Sequence, residues 1–143
     1  MSFTMTKRER EQFLADLHVG VVSIPAQDRG PLTVPIWYMY EPGKDVWMMT
    51  GRDSIKGELL DQADRISMCV QNEAPPYQYV SVEGPRAVRD PEDLHGQLLA
   101  MATRYLGEEG GKQYAAANPG TKAGSIIVSL TPERWYTVDY GKR

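Results

Sequence analysis

Residues 32–56 read LTVPIWYMYEPGKDVWMMTGRDSIK, and the fold is decided in this stretch. Leu32 to Tyr40 is dominated by β-branched and aromatic residues, which suit a pleated strand. Glu41-Pro42-Gly43-Lys44 has hairpin-turn chemistry. Asp45 to Thr50 then reads as the returning strand. Pro35 lies inside the first strand and has no N–H for a ladder, so that point is an edge or a bulge. Gly51-Arg52-Asp53 leads into a short helix, Ser54 to Gln62, with Asp53 or Ser54 as its cap.

Working outward, Thr6-Lys7-Arg8-Glu9 has the pattern of a capping box, so a first helix is expected from Lys7 to Leu17. Phe13, Leu14 and Leu17 form its apolar face. Val19 to Ile24 reads as a strand, closed by turn residues from Pro25 to Pro31. Downstream, Arg65 to Gln71 and Tyr77 to Arg89 read as strands, the second with a break near Gly84-Pro85. Asp90-Pro91-Glu92-Asp93 predicts a helix start, with Asp90 as cap and Pro91 in the first position. Leu94, Leu98, Met101 and Tyr105 share one face of that helix, which is expected to stop near Leu106-Gly107. Lys112 to Ala117 reads as a further helical turn within a Gly- and Ala-rich stretch. Ser125 to Leu130 and Arg134 to Tyr140 are the final strands, or one strand bent at Thr131-Pro132. Short turns between strands imply a largely antiparallel sheet. Six or seven such strands with flanking helices close best as a barrel or a tight sandwich.

The chain has 143 residues, a single-domain length, with 41% apolar and 24% charged residues. That balance is globular. The net charge of −3 argues against a general nucleic-acid binder, which needs a basic excess. The lone cysteine, Cys69, cannot form an intrachain disulfide. Met1 to Arg10 is charged where a secretion signal is apolar, so a cytoplasmic location is expected. Cys69 sits among Ile66, Met68 and Val70 and reads as a buried, unreactive thiol. His18, at the end of the first helix, is expected to cap carbonyls there rather than act as a base. With two distant histidines and one cysteine, no usual zinc set is available.

Chemistry concentrates at Thr50 to Lys56. A helix N-terminus offers free N–H groups and partial positive charge. Arg52 and Lys56 add full charges and Ser54 a hydroxyl, so the turn suits a phosphate. The same residues also suit an ordinary capped surface helix. Trp37, Trp47, Met48 and Met49 stand beside it on the hairpin, where alternation sends half to each face. A flat apolar ring against one face would bring its phosphate to the turn. Each of these side chains alone is more typical of a core.

The residues resemble the pyridoxamine-phosphate-oxidase-like superfamily of flavin and deazaflavin oxidoreductases. The resemblance spans nearly the whole chain. It rests on Phe13-Leu14 leading into Val19-Gly20-Val21-Val22-Ser23-Ile24, on Gly30-Pro31 through Val34-Pro35-Ile36-Trp37, and on Thr50 with Ser54 and Lys56. Tyr79-Val80-Ser81-Val82-Glu83-Gly84 with Ala87, Arg104-Tyr105-Leu106-Gly107 and Pro132-Glu133-Arg134-Trp135 complete it. The order and spacing of these pieces carry the match.

The resemblance implies a split β-barrel and a homodimer with two coenzyme sites at the interface. It implies that Val34, Pro35, Ile36, Trp37, Met49 and Thr50 position the coenzyme ring. Arg52, Ser54 and Lys56 then take the phosphate, and Tyr77, Tyr79 and Trp135 come from the partner subunit. Enzymes that oxidise pyridoxamine phosphate carry Ser-Arg-Lys at this turn. Here Ile55 stands in the arginine's place, with Arg52 as the other cation. Small size, Pro35-Ile36-Trp37 and Arg104-Tyr105-Leu106-Gly107 resemble the branch that uses coenzyme F420, whose polyglutamate tail would meet Arg52, Lys56 and Arg29. The expectation is an F420-dependent oxidoreductase acting on a small organic substrate. An FMN- or FAD-dependent enzyme of the same fold is the alternative, and a non-catalytic cofactor or tetrapyrrole carrier is a third reading from another class.

Overall fold

The structure, a computed structural model, describes residues 2–118 and 124–142. Among these the helices are α1 (Lys7–Ala15), α2 (Ile55–Gln62) and α3 (Leu94–Ala117). The strands are β1 (Gly20–Ile24), β2 (Leu32–Ile36), β3 (Val46–Gly51), β4 (Arg65–Gln71), β5 (Gln78–Arg89), β6 (Ser125–Leu130) and β7 (Arg134–Asp139). They pair antiparallel in the order β2-β1-β4-β5-β6-β3, with β7 also on β5. The expected mainly-β architecture, a half-barrel with flanking helices, is what the chain forms. No helix among the described residues is long and apolar enough to cross a membrane.

The sheet curls because β5 changes partners. Its first half lies between β4 and β7. From Arg86 it pairs with β6 instead. The expected break at Gly84-Pro85 is this hand-over within one continuous strand. The β6–β7 connection crosses there, pinned by Thr131 N–H to Pro85 O at 3.0 Å and Glu133 N–H to Glu83 O at 2.9 Å. Val22, Ile24, Met48, Met68, Val80 and Val128 fill the core inside the curl.

Pro35 falls on an edge. It lies opposite Val21 on β1, and β2 has no second partner in the sheet. The strand expected through Tyr40 ends at Ile36 because tertiary contacts take its backbone. Tyr38 N–H donates to the Tyr105 hydroxyl at 3.1 Å, and the buried Tyr38 hydroxyl donates to Leu14 O at 2.6 Å. Only Met39 returns to the hairpin, bridging Trp47.

The capping box of α1 forms as expected: Thr6 Oγ1 accepts from Glu9 N–H, and Thr6 N–H donates to Glu9 Oε1. The helix stops at Ala15, short of Leu17, which is exposed. Its last carbonyls are held by Arg104, which donates to Ala15 O at 3.2 Å and Asp16 O at 2.8 Å. His18, as expected, meets a carbonyl of that last turn, that of Phe13. Its ring stacks on Phe13 with centroids 4.4 Å apart, and burial holds its pKa below the usual value. Cys69 is half-buried on β4, and burial raises its thiol pKa, in line with an unreactive group.

One expectation about α3 changes and another holds. Its cap is Asp93, whose carboxylate accepts from Gly96 N–H at 3.1 Å, and the helix begins at Leu94. Asp90 instead faces Arg52, at 2.6 Å. The first helical arm stops at Gly107, as expected, where φ is +82°, and a second arm continues from there to Ala117, longer than the single turn expected over Lys112 to Ala117. Glycine tolerates that left-handed conformation without the steric penalty of a Cβ. The result is two helical arms, and the second lies against the hairpin.

Candidate functional site

The site begins at the turn between β3 and α2. Ser54 caps α2: its hydroxyl oxygen accepts from Gly57 N–H at 3.0 Å, and its proton goes to Gly51 O at 2.7 Å. Thr50 Oγ1 lies 3.3 Å from Ser54 Oγ. Ser54 therefore builds the turn, and the first N–H groups of α2, at Ile55 and Lys56, keep no intrahelical acceptor. These N–H groups lie at the positive end of the helix, an arrangement that suits an anion.

Gly57 lets the helix sit this close. A Cβ there would lie 2.1 Å from Gly51 O and 2.8 Å from Arg52 O. Helix propensity alone favours Gly57→Ala by about 1 kcal/mol. The clash with backbone oxygens reverses the sign, and we expect a net loss of about 1–3 kcal/mol. Urea unfolding of the variant checks this, and a raised midpoint would show that the turn yields without strain.

An open groove of about 400 Å³ runs beside the turn. Val19, Pro35, Ile36 and Trp37 form one wall and Met49 of β3 another. Leu98, Met101 and Tyr114 of α3 face them, and Lys56 is the only charged residue of the lining among the described residues. Alternation on β3 divides its methionines: Met48 is in the core and Met49 in the groove. A smaller cavity of about 130 Å³ adjoins, sharing Met49, Leu98 and Tyr114 and adding Thr50, Gly51 and Ser125 among its walls.

Trp37 is fixed in the groove wall by two tyrosines. Tyr105 stacks on it at 4.9 Å and 7°, and Tyr114 meets it at 5.4 Å and 50°. The Tyr105 hydroxyl accepts from Tyr38 N–H and donates to His18 O at 2.6 Å. Arg104-Tyr105-Leu106-Gly107 thus has a local rationale. Arg104 closes α1, Tyr105 braces Trp37, and Gly107 turns the helix so that Tyr114 can reach the groove.

The cations differ. Lys56 has no carboxylate partner among the described residues. Arg52 lies outside the groove lining and is paired with Asp90. Arg29, the third basic residue expected near a coenzyme tail, is exposed in the β1–β2 turn and does not line the groove.

Of the residues singled out in the sequence, Pro35, Ile36, Trp37, Met49 and Lys56 come together in the groove, and Thr50 in the cavity beside it. Val34 packs against the core instead. Tyr77, Tyr79 and Trp135 do not line their own chain's groove. Tyr77 lies by Pro76 and Tyr140, Tyr79 stacks on Tyr136, and Trp135 packs on the core under the Arg10 guanidinium. Sequence reading placed Leu98 and Met101 on an apolar stripe without assigning them to a site. For Val19 and Tyr114 it had no signal.

A family model described as pyridoxamine 5'-phosphate oxidase matches residues 6–139. The chain belongs to the pyridoxamine 5'-phosphate oxidase family. Solved structures agree on the fold. The conserved hypothetical protein Rv2991 from Mycobacterium tuberculosis superposes with a TM-score of 0.78 at 22% identity, covering 97% of this chain and 88% of that one. An F420 reductase gives 0.71 at 20%, covering 88% and 94%. The FAD and heme binding protein from Mycobacterium smegmatis gives 0.70 at 13%, covering 95% and 72%. No curated protein matches at the sequence level.

Proposed function

We propose that this protein is an oxidoreductase that binds coenzyme F420 and transfers hydride between it and a small organic substrate, with reduction of an electron-poor C=C bond as the reaction. The observation that carries the reading is the apolar groove between the hairpin and α3, with Lys56, which has no carboxylate partner among the described residues, in its lining beside the start of α2. A flat ring fits the walls made by Trp37, Pro35 and Met49, and a phosphate fits Lys56 with the Ile55 and Lys56 N–H groups. The coenzyme, when bound, supplies the hydride chemistry. The chain's own residues hold and orient it: Trp37, braced by Tyr105, fixes the ring plane, and α3 shields the other side from water. The F420 branch is favoured by the resemblance of Arg104-Tyr105-Leu106-Gly107 and by the fold shared with an F420 reductase. FMN or FAD is the second reading. One free lysine suits a single phosphate, and among the fold's neighbours are proteins named as FAD-binding.

A homodimer belongs to the same proposal. A row of residues crosses the outer face of the sheet: Pro35, Val21, Cys69, Ser81 and Tyr136 lie side by side on five strands. Val21 and Tyr136 are exposed there, and Tyr79 stacks on Tyr136 on the same face. Pairing two such faces would bury this surface. Sedimentation showing a stable 16.1 kDa species at micromolar concentration would remove the dimer from the reading.

The deciding experiment is a fluorescence titration of coenzyme-free protein with F420, FMN and FAD in turn. Selective binding of F420 supports the proposal, and binding of FMN or FAD alone moves it to the second reading. Tight binding with no turnover across a substrate panel favours a cofactor or tetrapyrrole carrier. If none binds, the turn is only a helix cap.

A further inference from the structure

Asp90 occupies a position that local rules do not explain. The sequence favours it as the cap of α3, but Asp93 does that work. The Asp90 carboxylate instead meets Arg52 Nη2 at 2.6 Å, at the turn beside the groove and outside its lining. Arg52 is anchored through its backbone, its N–H donating to Gly124 O at 2.6 Å, so its guanidinium works from a fixed base. Nearby Arg89 is likewise engaged, by Glu92 and Ser129. Among the described residues, Lys56 is then the cation of the site without a carboxylate partner, and Arg52 is a cation held in reserve.

We infer that Asp90 is a built-in competitor for the ligand's anionic group: it holds Arg52 until a phosphate or carboxylate takes its place, and so sets how strongly the groove takes anionic ligands. The inference rests on the groove being the coenzyme site. Both side chains are well exposed, 48% and 84%, so their pairing contributes little to the fold and is readily exchanged. Exchange would release a full positive charge beside the positive end of α2. Asp90 acts through Arg52 as a positioning residue and touches no reacting atom. Charge at such a rim sets selectivity and salt dependence more than raw affinity. The more anionic the ligand, the more the pair matters, so F420 with its polycarboxylate tail should feel it more than FMN, and uncharged riboflavin should not feel it.

The test compares wild type, Asp90→Asn, Arg52→Ala and the double variant at low and high salt. Inorganic phosphate is titrated by NMR, reading the Ile55 and Lys56 amides, and F420, FMN and riboflavin are titrated by fluorescence. Asp90→Asn is expected to tighten phosphate and the anionic coenzymes by roughly two- to fivefold at low salt, and less at high salt. Riboflavin affinity should not move, and in the Arg52→Ala background most of the gain should vanish. Unchanged phosphate affinity in Asp90→Asn overturns the inference, as does a gain that persists in full without Arg52. Failure of the coenzyme reading looks different: no coenzyme binds wild type, while Asp90→Asn still tightens phosphate.

Discussion

Lys56→Ala is expected to weaken binding of a phosphate-bearing coenzyme by about ten- to hundredfold, corresponding to the roughly 1.5–3 kcal/mol of a charge-assisted hydrogen bond. Lys56 is the charged residue of the groove lining and has no carboxylate partner among the described residues. Its removal takes away charge without stranding an opposite charge. The side chain also contributes an apolar stem to the wall, so truncation mixes two effects. Lys56→Met keeps most of the stem and isolates the charge. Both variants should bind riboflavin nearly as wild type does, while FMN and F420 weaken together. Arg52→Ala should cost less than Lys56→Ala, because Asp90 already holds that guanidinium. Fluorescence titration separates these outcomes. If Lys56→Met binds FMN and F420 within twofold of wild type, the phosphate does not sit at this end of the groove.

Gly84→Ala is expected to be the most damaging single methyl in the chain. A Cβ at Gly84 would lie 1.7 Å from Thr131 O, 2.9 Å from Thr131 C and 3.3 Å from Glu133 N. All three are backbone atoms, so no rotamer change relieves the overlap. The two hydrogen bonds that flank the crossing, Thr131 to Pro85 and Glu133 to Glu83, would have to lengthen. We expect a loss of about 3 kcal/mol or more, a large part of a typical total stability of about 5–15 kcal/mol. For a chain of this size that lowers the melting temperature by roughly 10 °C. Gly30→Ala is the matched control, since a Cβ there meets nothing within 4 Å. It should stay within about 0.5 kcal/mol of wild type. Equal melting of the two variants would show that β5 and the β6–β7 connection can separate without loss.

Most strands were legible because their signals are local. Arg65–Gln71 and Ser125–Leu130 form over the expected residues, bounded by turn chemistry on both sides. Thr6 and Glu9 cap α1 through bonds that span three residues. Pro35 marks an edge because a residue without an N–H is tolerated there. Where reading and structure part, a distant group has taken over. Tyr105 captures the backbone of Tyr38 and ends β2 early. Arg104 closes α1 from across the fold, beyond what the local His18 supplies. Arg52 draws Asp90 away from the cap of α3.

The same division runs through the site. Ser54, Lys56 and the start of α2 lie within one turn of chain, so their spacing alone marks them as a place for an anion. The groove needs walls from β2, β3 and α3, and Tyr114 reaches Trp37 from 77 positions along the chain. Periodicity shows that Leu98 and Met101 need burial, but not what they will face. Thus residue order by itself settled the strand-rich pattern, the cap of α1 and the candidate anion turn, because propensity, capping and turn chemistry act over a few residues. Only tertiary structure decided that the second arm of α3 faces the hairpin, that Lys56 has no carboxylate partner among the described residues, and that Arg52 has one. Those outcomes depend on close packing and charge pairing between segments far apart in sequence, which no local pattern encodes.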